Sequence, residues 1–135
     1  KRHFPDAENL GDITEIDGGS ITAVDIISFG SPCQDLSVAG GQKGLDGARS
    51  GLFMEAVRIV REMRKKTNGE YPKYIIWENV AGAFSSNKGE DFRRVLEEIT
   101  ESNIPMPKSG KWANAGMVGI ERAGGGGSVY RMADA

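Results

Sequence analysis

One cysteine, Cys33, and one histidine, His3, are all that 135 residues contain of the two most versatile catalytic side chains. A lone thiol excludes an internal disulfide and any multi-cysteine zinc site, so no metal is expected. A cysteine hydrolase needs a histidine base, and the only candidate sits at the start of the chain, where it reads as a surface residue. No run approaches 18 apolar residues, and no basic start leads into an apolar stretch of the secretory kind; no membrane partner is expected. An excess of positive charge is lacking too. Seventeen Lys and Arg against 19 Asp and Glu leave a net charge of −2, without the basic surplus of a self-sufficient nucleic-acid-binding domain. The chain opens on Lys1 rather than Met, and a fragment or processed form is expected.

Glycine is plentiful, at 19 residues, so much of the chain is turn and loop. Residues 1–20 are polar, with one helical turn expected around 13–16. Residues 24–29, Val-Asp-Ile-Ile-Ser-Phe, are rich in β-branched side chains and flanked by glycine, which predicts a buried strand. Six glycines from Gly30 to Gly51 then mark a long loop, a length that is usually functional or disordered. From Leu52 the period changes: Leu52, Ala56, Val60 and Met63 recur at helical spacing between charged residues, and Asn68-Gly69 and Pro72 stop the helix. Arg61, Arg64, Lys65 and Lys66 read as a solvated face, with phosphate contact as the alternative. Residues 74–77 predict a second buried strand, and 82–89 a loop. Asn87, with Glu90 three residues on, is a candidate cap for a helix carrying Phe92, Val95, Leu96 and Ile99. Pro105 and Pro107 end that region. A four-glycine turn at 124–127 precedes a last strand at 128–133. Trp77 and Trp112 read as packing residues.

Strand, loop, helix, strand, loop, helix is an α/β order. A strand–helix–strand unit predicts parallel pairing with a right-handed crossover, so both strands deliver their C-terminal ends to one sheet edge, where open α/β sheets place ligands. The first strand runs into Gly30-Ser31-Pro32-Cys33-Gln34 and the second into Glu78-Asn79-Val80. Topology thus brings the only cysteine to a carboxylate 45 residues away. A thiolate is a nucleophile, and a carboxyl at the end of a buried strand keeps its proton more readily because desolvation raises its pKa. Nucleophile plus acid suggests covalent catalysis. Cysteine also fills cores, and Glu78 alone fits a surface carboxylate, so neither residue decides by itself.

Pro32-Cys33-Gln34, within Gly-Ser-Pro-Cys-Gln-Asp-Leu-Ser, resembles the nucleophile motif of the DNA cytosine-5 methyltransferases, and Glu78-Asn79-Val80 resembles the Glu-Asn-Val motif of that family. Gly11-Asp12-Ile13 and Leu52-Phe53 resemble two further family motifs, in the family's order. The resemblance implies a fragment of a Rossmann-like methyltransferase fold with a mainly parallel sheet, residues 1–135 forming the central part of the catalytic domain. It implies a cytosine flipped out of double-stranded DNA, Cys33 adding to carbon 6, Glu78 steadying the ring at nitrogen 3 and the amino group, and S-adenosylmethionine methylating carbon 5. It assigns Pro32, Gln34, Ser37 and Asn79 to substrate binding and Asp12, Ile13 and Leu52 to the cofactor. Residues 34–51 correspond to the mobile loop of the family, for which glycine supplies the needed φ/ψ freedom. A restriction endonuclease counterpart and a bacterial or phage setting, cytoplasmic and nucleoid-associated, are further implications.

The chain departs from the family pattern where the first strand with its glycine-rich cofactor loop, the ribose-holding acid, the arginine-bearing segment and the target-recognition domain would stand. Activity of these 135 residues alone is therefore not expected. An RNA cytosine-5 methyltransferase and a non-catalytic fragment that retains the motifs are the alternatives.

Overall fold

The computed structural model describes residues 3–31 and 51–112, together with the backbone of 117–121 and 127–131. Strand β1 (Ile26–Gly30), helix α1 (Gly51–Lys66), strand β2 (Tyr74–Glu78) and helix α2 (Glu90–Thr100) follow in the expected order. Strands β3 (Met117–Glu121) and β4 (Gly127–Arg131) pair antiparallel as a separate hairpin. The sequence anticipates β4, shifted by one residue at its start, but not β3. The long loop expectation falls on residues 32–50, outside the described residues.

β1 and β2 pair in parallel, with Ile26 opposite Tyr74 and Gly30 opposite Glu78. The sequence predicts both strands to be buried; instead, alternate residues are exposed. Phe29, Ile75 and Trp77 pack against a core of Phe53, Val57, Ala83, Val95 and Ile99 from α1, α2 and the turn Ala81–Phe84. Ile26, Tyr74 and Ile76 stand on the other face, exposed. The reason is that α1 and α2 cover one side of the sheet only.

Along α1 the buried residues are Phe53, Ala56, Val57, Ile59, Val60 and Met63, a stripe at helical spacing. Leu52, counted into that stripe by its spacing, stays outside it, half exposed at 51%. Asn68 (φ 53°) and Gly69 (φ 85°) turn the chain out of the helix, and the Gly69 N–H donates to the Arg64 carbonyl at 2.7 Å, satisfying one of the orphan carbonyls of the last turn.

α2 does not start with the expected cap. Gly89 occupies the N-cap with φ 90°, after Asn87 and Lys88, which also have positive φ. Asn87 and Ser86 instead donate from their side chains to the buried Asp91 carboxylate in the first turn, at 3.3 and 2.6 Å. Trp112, buried, donates its indole N–H to the Gly89 carbonyl at 2.7 Å and stands edge-on to Phe92. A Cβ on Gly89 would meet that indole at 2.9 Å, so glycine answers both to the left-handed backbone and to the close approach.

At its other end α2 is capped from α1. Arg61 Nη2 donates to the Glu98 carbonyl at 3.0 Å and to the Glu98 carboxylate at 2.8 Å. Arg64 Nη1 donates to the Ile99 carbonyl at 2.7 Å. These are carbonyls that the helix itself leaves unpaired, at the end where its dipole favours cations. Arg61 and Arg64 thus staple one helix to the other, where a solvated face was expected. Lys65 and Lys66 remain exposed.

The segment before β1 is docked on α1. A 3-10 turn, Ile13–Glu15, is capped by Asp12, which accepts from Thr14 N at 2.9 Å and Thr14 Oγ1 at 2.8 Å. Arg58 donates to the Ile13 and Ile16 carbonyls at 3.1 and 2.8 Å, and Glu62 accepts from Gly18 N at 2.7 Å. Asp17 accepts from the Ser20 hydroxyl and from Gly19 N. These hydrogen bonds hold both carboxyls below the ordinary carboxylate range: for Asp17 chiefly the Ser20 hydroxyl, for Asp12 chiefly the Thr14 N–H. Folded values below the unfolded ones mean stabilisation that is present above about pH 3.9 and lost as the pH falls through the folded values. Below about pH 4 the amide resonances of Thr14 and Gly19 are expected to move toward unfolded positions before those of α1 do. Resonances of the two amides that stay fixed until α1 itself unfolds would contradict this.

Candidate active site

The C-terminal ends of β1 and β2 form one edge because the strands are parallel and in register, Gly30 beside Glu78. The strand period of two then divides the work. Trp77 and Asn79 point to one side, Glu78 to the other. Glu78 Oε2 lies 3.2 Å from where a Cβ on Gly30 would stand. Its carboxylate therefore rests over Gly30, in space that any side chain would contest. Glu78 is exposed, and the burial that its strand end predicts is not found, because it belongs to the uncovered face of the sheet.

On the opposite side the two sequence neighbours of Glu78, Trp77 and Asn79, grip Ser31, the residue after β1. Trp77 Nε1 donates to Ser31 Oγ at 3.0 Å. Asn79 Nδ2 donates to Ser31 O at 3.1 Å and Ser31 Oγ at 3.2 Å, while Asn79 Oδ1 accepts from Val80 N at 2.8 Å. Asn79, assigned from sequence to the substrate, is thus engaged with the chain itself. Pro32, Cys33, Gln34 and Ser37 lie outside the described residues. Sequence reasoning missed Ser31; its one signal was its place immediately before Pro32-Cys33.

Of the three residues assigned to the cofactor, Asp12 and Ile13 lie in the turn docked on α1 and Leu52 lies in the first turn of that helix. Asp12 and Ile13 are held there by Arg58 through the Ile13 carbonyl, one turn along from Glu55, which Arg58 also binds. Leu52, one turn nearer the helix start, is exposed and Ile13 half-buried. An exposed leucine, a partly open isoleucine and an ionised carboxylate at a capped turn suit an aromatic ring with an amino group, so the residues present fit an adenine. Among the described residues no group of three or more His, Cys, Asp or Glu could hold a metal ion, and no helix is long and apolar enough to cross a membrane.

A family model for C-5 cytosine-specific DNA methylases matches residues 1–104. The chain is 40% identical over 101 residues to a protein named type II methyltransferase M1.ScrFI from Lactococcus lactis subsp. cremoris, covering 75% of this chain and 24% of that protein. It is 34% identical over 93 residues to one named orphan methyltransferase M.SPRI from Bacillus phage SPR, covering 69% and 20%. It is also 36% identical over 119 residues to one named DNA N-6-adenine-methyltransferase from Escherichia phage P1, covering 80% and 16%. The chain spans about a fifth of the length of the curated relatives it matches.

Proposed function

This chain belongs to the C-5 cytosine-specific DNA methylase family, and we propose that it is the central segment of the catalytic domain of a DNA cytosine-5 methyltransferase. The observation that carries the reading is the register of β1 and β2, which sets the Glu78 carboxylate over Gly30. Cys33 follows Gly30 by three residues, and three residues span at most about 11 Å, a separation that a base lying between the two groups bridges.

The chemistry needs both groups. A cytosine in a stacked duplex offers neither ring carbon to a side chain, so the base leaves the stack. The Cys33 thiolate adds to carbon 6; the carbon 5–carbon 6 double bond opens, and its electron pair is delocalised over carbon 5 and the ring. Glu78, acting as the protonated acid, donates its O–H to nitrogen 3 and accepts from the amino group, which stabilises the charge there. S-adenosylmethionine, when bound by Asp12, Ile13 and Leu52, supplies the electrophilic methyl group that carbon 5 requires. Loss of the carbon-5 proton to water then restores the double bond and expels Cys33 as thiolate.

The relative named for N-6 adenine methylation favours a second reading. An exocyclic amine attacks a methyl group directly, however, and has no use for a cysteine nucleophile at a strand end. The Pro32-Cys33-Gln34 and Glu78-Asn79-Val80 motifs therefore support the cytosine reading. Duplex DNA as substrate, a type II restriction setting and a bacterial or phage cytoplasm complete the proposal.

The test is incubation of the full-length enzyme that carries this segment with S-adenosylmethionine and duplex DNA containing 5-fluorocytosine. Fluorine does not leave as a proton does, so a protein–DNA complex that survives denaturing electrophoresis is expected; its absence, with methyl transferred to adenine instead, would refute the reading. Gly30→Ala should push on the Glu78 carboxylate and slow complex formation about tenfold or more, with DNA affinity unchanged. A wild-type rate in that variant would show that the rest of Glu78 over Gly30 is incidental.

A further inference from the structure

We propose that Trp77 is a positioning residue: through the hydroxyl of Ser31, its indole N–H fixes the end of β1 from which the nucleophile segment departs. This rests on the methyltransferase reading above. Trp77 is itself held on several sides. Its ring meets Phe53 edge-on at 6.3 Å and stacks on Phe92 at 5.8 Å, and it contributes to both apolar clusters of the core. The indole cannot swing without repacking these rings, so the direction of its single N–H is set by the core.

That N–H ends on a hydroxyl with no slack of its own. Ser31 is buried. Its Oγ accepts from Trp77 Nε1 and from Asn79 Nδ2, which occupies both acceptor positions of a hydroxyl. Asn79 takes the Ser31 carbonyl as well. Three hydrogen bonds, from Trp77 in β2 and from Asn79 just after it, therefore lock the residue that follows β1, side chain and backbone together. The next residue is Pro32, with a fixed φ, and the next is Cys33. Ser31 is thus the fixed point from which the sequence runs on to Cys33. Rigid placement of a nucleophile matters because displacement by about 1 Å can cost about a hundredfold in rate.

The experiment compares the full-length enzyme with its Trp77→Phe, Ser31→Ala and Ser31→Thr variants and the Trp77→Phe/Ser31→Ala double variant. Readouts are the single-turnover rate of the covalent complex with 5-fluorocytosine DNA, KM for DNA, and thermal melting. Trp77→Phe and Ser31→Ala should each slow the covalent step roughly ten- to hundredfold with KM for DNA within about twofold. Ser31→Thr, which keeps the acceptor, should retain the rate. The double variant should be no slower than the slower single one, as expected for two residues acting through one contact. Ser31→Ala decides if Trp77→Phe does not fold. A folded Ser31→Ala variant that reacts at the wild-type rate, or losses that add in the double variant, would overturn the inference and leave the methyltransferase reading standing. No complex from the unmodified enzyme would overturn both.

Discussion

Replacing Cys33 by serine in the full-length enzyme is expected to slow covalent addition to cytosine by at least about a thousandfold while leaving DNA binding in place. The size follows from ionisation. A free thiol has a pKa of about 8.5, so a few per cent is thiolate at neutral pH. An alcohol ionises about as reluctantly as water, roughly seven units above a free thiol. The alkoxide is the stronger base, and a Brønsted slope of about 0.4–0.5 returns about half of those seven units as reactivity. The deficit that remains is about three to four orders of magnitude. His3, the one histidine of this segment, is exposed. The hydroxyl is close to the thiol in size, so packing is not the cause of the loss. Rapid-quench measurement of complex formation with 5-fluorocytosine DNA gives the rate; addition within tenfold of wild type would remove Cys33 from the role of nucleophile.

The largest expected effect on stability is at Gly18. A Cβ there would lie 2.4 Å from the Ile59 carbonyl oxygen and 2.8 Å from its Cα. Both are backbone atoms in the middle of α1, so neither can turn aside as a side chain would. Either the helix shifts or residues 12–20 lift off it, and the Glu62 and Arg58 hydrogen bonds to Gly18, Ile16 and Ile13 go with them. Gly18→Ala should cost about 3 kcal/mol, at the upper end for overpacking and a large part of the margin of an ordinary domain. Gly19→Ala is the control: its Cβ would meet the Asp17 side chain at 3.2 Å and the Glu62 carbonyl at an ordinary 3.9 Å, and should cost less than about 1 kcal/mol. Urea unfolding of the two variants measures the difference. Equal midpoints would show that residues 12–20 are not seated against α1 as described. If they are, Gly18→Ala should also raise KM for S-adenosylmethionine, because Asp12 and Ile13 belong to the displaced segment.

What was legible in the sequence was what depends on near neighbours. The β-branched run at 24–29 and the run at 74–77 gave both strands, and their order around one helix gave the parallel pairing. The capping serine, threonine or asparagine rule failed at Asn87 because a distant residue intervenes: Trp112 claims the Gly89 carbonyl, and the chain turns through three left-handed residues to meet it. Arg61 and Arg64 looked like a solvated face because their partners lie 37 and 35 residues further on. Tyr74-Ile75-Ile76-Trp77 reads as buried throughout, as central parallel strands do, yet only Ile75 and Trp77 face α1 and α2. Glu78 follows the exposed alternation. At the site, the motif strings identified Glu78 and the segment of Cys33, but a string does not show that Trp77 reaches across to Ser31. That contact joins two residues 46 positions apart, each of which is chemically ordinary alone.

The staple between the helices has a consequence for ionic strength. Each phosphate neutralised by a side chain steepens the fall of DNA affinity with salt by about 0.9 on a double-logarithmic plot, through release of condensed counterions. Arg61 and Arg64 already spend their charge on the carbonyls and carboxylates at the end of α2. On the methyltransferase reading they are therefore expected to serve the cohesion of the two helices rather than the release of counterions from a duplex. If the full-length protein binds DNA as proposed, the salt dependence of that binding is expected to come from other residues, and replacing Arg61 or Arg64 is expected to change the stability of the fold rather than the slope of that dependence.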